Sequence, residues 1–125
     1  MSQGRGQRNS AGRFETDFPL MSVAQVKAAV KQARARGVSK VARSRRGFAT
    51  AYVKAGAWRN LPDSWRRKRE NFIKRHLAQA LNNDEELADR QGRPSRRTLA
   101  IQVWAFDPLD FGKPDLRAMM REAGR

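Results

Sequence analysis

Between residues 63 and 83 the stretch DSWRRKRENFIKRHLAQALNN repeats its large apolar residues at helical spacing. Stepped at about 100° per residue, Trp65, Phe72, Ile73, Leu77, Ala80 and Leu81 fall on one broad side. Arg67, Lys68, Asn71, Lys74 and Arg75 fall on the other. Pro62 stands just ahead, and Asp63 or Ser64 can cap the first turn. One face can enter a core while the opposite face presents cations. Arg66 and Arg69 lie toward the apolar side, and the expectation is that they lay their stems on it and lift their heads into water.

The same period predicts four further helical segments. Residues 22–36 carry Val23, Val26, Val30 and Ala33 as a narrow stripe, with Lys27, Lys31 and Arg34 beside it. Ser22 is a suitable cap and Gly37 a suitable stop. Residues 48–55 place Phe48 and Tyr52 on one face, and Gly56 ends that run. Trp58 and Leu61 follow in a loop as candidate core plugs. In residues 95–106 Ser95 can cap a helix whose face holds Leu99, Val103 and Phe106, with Ala100 and Trp104 alongside. The alternation of Leu99, Ile101 and Val103 also fits a strand. The Pro-Ser start and the length of the run favour helix. Pro114 to Ala123 reads as a C-terminal helix with Leu116 and Met119 or Met120 inward. A short helix to about Arg90 is also expected, because Asn83 and Glu86 have capping-box spacing.

These elements predict a mainly α single domain over residues 21–125, a bundle of four to six helices. The expected core gathers Val26, Val30, Phe48, Tyr52, Trp58, Trp65, Phe72, Ile73, Leu77, Leu99, Val103 and Trp104. Residues 1–20 have no hydrophobic period and read as an extended basic arm. Phe14, Phe18, Pro19 and Leu20 are its candidate anchors to a neighbouring subunit.

Charge sharpens the picture. The 125 residues hold 27 Lys plus Arg against 12 Asp plus Glu, a net charge of +15. Charge of this size repels itself in a compact state and is tolerated where a polyanion cancels it. It is also clustered. No acid lies between Asp17 and Asp63, and from Lys27 to Arg75 sixteen basic residues face two acids, Asp63 and Glu70. A solubilising surface mixes its signs, whereas one contiguous basic region is the footprint of a nucleic-acid binder. Arginine dominates, and its planar fork suits phosphate oxygens. The candidate phosphate contacts are Lys40, Arg43, Arg45 and Arg46 on the turn, with Arg67, Lys68, Lys74 and Arg75 on the helix. DNA is favoured over RNA. The aromatics look committed to the core, which leaves no stacking platform for single strands.

Catalytic chemistry is poorly supplied. One histidine, His76, cannot build a two-histidine metal motif, and no nucleophile elbow or phosphate loop is present. Asp84, Glu85, Glu86 and Asp89 lack the alternating ligands and central glycine of a calcium loop. Cysteine is absent, which excludes disulfides and thiolate metal sites. No enzyme activity, metal or cofactor is therefore expected. No apolar run has membrane-spanning length, and the N-terminus lacks the apolar core of a secretory signal. A membrane partner is not expected, and the compartment implied is intracellular (cytoplasm or nucleoid) or the interior of a virion.

Two resemblances add to this reading. Ala33, Gly37, Val38 and Ser39 resemble the turn of helix-turn-helix DNA-binding proteins, which implies that Val38 and Ser39 open a recognition helix. The family's buried aliphatic position, six residues after the glycine, is Arg43 here. Arg43-Ser-Arg-Arg-Gly-Phe48, the helix over residues 65–79 and Arg93-Pro-Ser-Arg-Arg-Thr-Leu-Ala100 together resemble small basic proteins encoded by large double-stranded DNA viruses and phages. That group lends no catalytic or binding residues, but it implies a nucleoprotein assembly. The expected function is thus non-enzymatic binding of nucleic-acid phosphates within such an assembly. The alternative is a virion structural protein (minor capsid, cement or internal) whose arm and basic face bind neighbouring protein subunits.

Overall fold

The basic stretch forms the longest helix of the chain, and the rest of the fold is fitted to its apolar side. The computed structural model describes residues 16–123. Five α-helices lie among them: α1 (Val23–Ala35), α2 (Phe48–Ala55), α3 (Asp63–Asn82), α4 (Arg96–Gln102) and α5 (Lys113–Ala123). Single 3-10 turns stand at Trp58–Asn60 and Pro108–Asp110. No strand is present among the described residues, so the mainly α architecture is as expected.

Local chemistry sets the helix ends. Ser22 Oγ accepts from the Gln25 amide at 3.1 Å, and the Gln25 side chain accepts from the Ser22 amide at 2.8 Å, a full capping box. At the other end of α1, Gly37 adopts φ 68. The Val38 amide there donates to Ala33 O at 2.8 Å and the Gly37 amide to Arg34 O at 3.1 Å. Ser95 caps α4 by accepting from the Thr98 amide at 3.0 Å, so helix wins over strand. The first turn of α3 has no side-chain cap. Pro62 occupies that position, and Asp63 lies inside the helix, paired with Arg66.

Helix α4 is the middle layer. It packs on α1 to one side and on α3 to the other. Leu99 and Val103 join Val26, Phe48, Tyr52, Trp58 and Leu61 in one apolar cluster. Ile101 and Phe106 join Phe18, Ile73, Leu77, Leu116 and Met119 in a second. Trp104 packs against both. Val30, Trp65, Phe72 and Trp104 are only half-buried, on the rim of the expected core.

Four expectations are corrected. Residues 83–90 form no helix. Asp84 takes φ 51, the Glu85 amide donates to Ala80 O at 2.9 Å, and Leu87 is pulled into the second cluster. Val38 and Ser39 open no recognition helix either: Ser39 has φ 60, and the next helix starts only at Phe48. The folded unit reaches back to Thr16, since Phe18 is fully buried edge-on to Phe106 at 5.5 Å and Leu20 packs on the first cluster. Phe18 and Leu20 therefore pack on their own chain, Phe18 wholly and Leu20 in part, while Phe14 lies outside the described residues.

The fourth correction concerns Arg66 and Arg69, neither of which lifts its head into water: the Arg66 side chain is 11 % exposed and donates to Leu61 O at 2.7 Å, and Arg69 is enclosed altogether. It is 0 % exposed. Its Nε donates to Trp104 O at 2.7 Å, and Nη2 donates to Phe18 O at 2.9 Å and Ala105 O at 3.0 Å. Nη1 donates to Thr16 Oγ1 at 3.0 Å and Glu70 Oε2 at 3.2 Å. Burial lowers its pKa to about 10, with Glu70 and then Tyr52 acting against that shift, so it stays charged at neutral pH. Replacing it removes the bond that Trp104 O receives and one of the two received by Phe18 O and by Ala105 O. Arg69→Met is expected to cost about 3–5 kcal/mol in urea unfolding, and Arg69→Lys to recover only part of that. A methionine variant within about 1 kcal/mol of the parent would remove Arg69 from this role.

Candidate nucleic-acid interface

The outward face of α3 carries its cations in two rows. Arg67 and Lys74 form one, Lys68 and Arg75 the other, each pair about 10 Å apart along the axis. Arg67, Lys68 and Arg75 are exposed and Lys74 is half-buried. None of the four makes an ion pair among the described residues. The two acids of the helix are already engaged. Asp63 pairs with Arg66, and Glu70 accepts from Arg69 and from the Thr16 hydroxyl. The face is therefore uncompensated.

Aromatic rings lie at its foot. Lys68 Nζ stands 4.9 Å above the Trp65 ring and Arg75 Cζ 5.8 Å from the Phe72 centroid. Lys68, Asn71, Phe72, Arg75 and Trp104 line a groove of about 320 Å³. The rings form a column in which Phe48 stacks on Trp104 at 4.8 Å, Trp104 on Phe72 at 4.6 Å and Phe72 on His76 at 4.1 Å. The expectation that these aromatics are wholly committed to the core is thus only half met. Phe72 and Trp104 line the groove and Trp65 is half-buried beside Lys68, but the column already occupies both faces of Phe72 and Trp104.

The loop cations are held by a stitched turn. Ser44 Oγ donates to Val41 O at 2.7 Å, the Ala49 amide to Ala42 O at 3.0 Å, and the Thr50 hydroxyl to Ser44 O at 2.7 Å. A Cβ on Gly47 would collide with the Ala42 carbonyl, so the turn closes only around glycine. Lys40, Arg45 and Arg46 are exposed on it, and Val41 is 82 % exposed at its tip. The loop ends at Phe48, whose ring meets Trp65 at 6.0 Å. That contact joins the first residue after the loop to the start of α3. Arg43 goes elsewhere: its Nε donates to Val38 O at 2.8 Å, and it borders a separate groove with Lys27, Arg34 and Lys54. The eight candidates are thus four on α3, three on the adjoining loop and one beside α1 and α2.

Sequence reasoning passed over Asn71 as a groove residue and the set Lys27, Arg34 and Lys54. The second set needs α1 and α2 to pack before it exists, and no local pattern announces that. Three of the C-terminal acids are answered by nearby cations. Arg97 grips Glu85 at 2.9 and 2.8 Å, Lys113 bonds Asp84 at 2.8 Å, and Arg93 bonds Asp89 at 2.7 Å. These partners hold all three carboxylates below their ordinary pKa. Among the described residues no group of His, Cys, Asp and Glu is placed to hold a metal ion, and no helix is long and apolar enough to cross a membrane. No protein-family model, curated protein or solved structure matches the chain.

His76 reports on this surface. Arg97 Nη1 lies 3.0 Å from its Nδ1. A guanidinium only donates, so Nδ1 accepts and the proton of the neutral ring sits on Nε2. Burial, then the charges of Arg97 and Arg75, lower its pKa, with Glu85 opposing. For a base lowered on folding, the unfolded chain takes up its proton first. Stability from this group is therefore complete above about pH 6.5 and falls as pH drops through that value toward the lower folded one. As His76 is the single histidine, its ring resonances should titrate below about pH 6.5 in NMR, and His76→Gln should flatten the acid side of the stability profile. A titration at or above that value would show that the Arg97 and Arg75 charges do not reach the ring.

Proposed function

We propose that this chain is a non-enzymatic nucleic-acid-binding protein that contacts phosphates through α3 and the adjoining loop. The observation that carries the reading is the disposal of the two α3 acids on Arg66 and Arg69. It leaves Arg67, Lys68, Lys74 and Arg75 as an unanswered cationic face. Phosphates bound there displace condensed counterions, and that release supplies affinity without reading sequence. Lys40, Arg45 and Arg46 extend the face from the loop. Duplex DNA is the partner favoured, because both faces of Phe72 and Trp104 are already stacked and offer no free surface for an unpaired base. The resemblance to basic proteins of large double-stranded DNA viruses and phages supports a role inside a nucleoprotein assembly. The alternative is a virion structural protein whose arm and basic face bind neighbouring protein subunits.

Binding to random-sequence duplex DNA should weaken steeply with salt, with a log–log slope near −0.9 per phosphate contacted. Changing Arg67, Lys68, Lys74 and Arg75 to Gln should reduce that slope by up to about 3.6 and weaken all sequences alike. Absence of binding at about 50 mM salt, or an unchanged slope in the variant, rejects the proposal.

A further inference from the structure

The groove between α1 and α2 has the same sign of charge as the α3 face but a different floor. It measures about 350 Å³. Val30, Ala49 and Val53 form its base, and Lys27, Arg34, Arg43 and Lys54 stand around it. On α1 the residues Lys27, Val30 and Arg34 follow one helical face, and on α2 so do Ala49, Thr50, Val53 and Lys54. No acid lines the groove, and neither helix contains one. Ala49 is buried, whereas Val30 and Val53 remain half-buried, so the described residues leave part of the aliphatic floor open. The Thr50 hydroxyl has given its proton to Ser44 O and can only accept.

We infer that this groove docks an acidic amphipathic helix of a protein partner. The walls select negative charge on both flanks of the ligand. The floor selects what lies between those flanks. A nucleobase gains most from an aromatic face, and no ring lines this groove, whereas rings line the α3 groove. Branched aliphatic side chains on the floor match leucine or isoleucine from a helix, presented at i, i+3, i+4 and i+7. Carboxylates beside that stripe meet Lys27 and Arg34 on one wall and Arg43 and Lys54 on the other. The inference does not rest on nucleic-acid binding by α3, and it gives the protein two faces of distinct chemistry.

The test uses the full chain and a labelled helical peptide of roughly 16 residues with a leucine stripe and glutamates elsewhere. A control peptide replaces the leucines by serine and keeps the charge. Fluorescence anisotropy should show the leucine peptide binding in the micromolar range and the serine peptide binding at least ~10-fold more weakly. Lys27→Gln with Lys54→Gln, and separately Val53→Asn, should each weaken the leucine peptide ~10-fold. Both lysines are exposed, so that pair decides the matter even if Val53→Asn disturbs folding. The lysine variant should keep the parent's behaviour toward duplex DNA. Equal binding of the two peptides would reduce the effect to bulk charge and overturn the inference. So would unchanged peptide binding in the lysine variant. Loss of duplex binding in that variant, with peptide binding intact, would assign the groove to nucleic acid instead.

Discussion

The guanidinium of Arg69 holds backbone from two distant parts of the chain against its own helix. Its donors reach the carbonyls of Phe18, Trp104 and Ala105, so the N-terminal segment, α3 and the corner after α4 converge on one side chain. Taking a cation out of water costs several kcal/mol and is tolerable only when its donors are satisfied. Here they are, by carbonyl dipoles, a hydroxyl and the flanking Glu70. The corner needs that support. Ala105 sits at φ 67, a conformation that costs a non-glycine residue about 1–2 kcal/mol. Its carbonyl is fixed there by Arg69 and by the Met21 amide at 2.7 Å. The same corner orients Trp104, which lines the α3 groove and carries the aromatic column into the core.

Much of the fold was legible because its signals are local. Ser22, Gly37, Gly56 and Ser95 mark helix ends by bonds and backbone angles that involve only near neighbours. The apolar period placed α1, α2, α3 and α5 within a residue or two of their ends. Arg69 was not legible. On the helical wheel it differs little from Arg66, whose guanidinium donates to Leu61 O at 2.7 Å. What separates the two is the arrival of carbonyls from residues 18 and 104–105, which no window around position 69 contains. Residues 83–90 misled for a related reason. The capping-box letters are present, but Leu87 gains more by entering the second cluster than a short exposed helix would.

The candidate site was legible in kind and not in grouping. Composition located the excess charge in one half of the chain, and the α3 quartet does share a face. Arg43 looked like one more loop cation, yet its bond to Val38 O turns it toward Lys27, Arg34 and Lys54. Electrostatic footprints read from sequence give the sign of a partner and the segment that meets it. They do not say which cations will stand together once helices cross.

The structure offers two cationic surfaces, and Coulomb attraction alone does not distinguish the anions each would accept. Long-range charge governs encounter, while the surface between the charges governs what stays bound. On α3 that surface is the edge of a ring column, with Lys68 over the Trp65 ring and the Arg75 guanidinium within 5.8 Å of the Phe72 centroid. Between α1 and α2 it is half-buried valine beside a buried alanine, where an apolar ligand gains by excluding water. A polyphosphate has no apolar stripe to place there, and an acidic helix has no repeating phosphates for the rows of α3. Under the two proposals, the floors rather than the charges divide the surfaces between two kinds of partner.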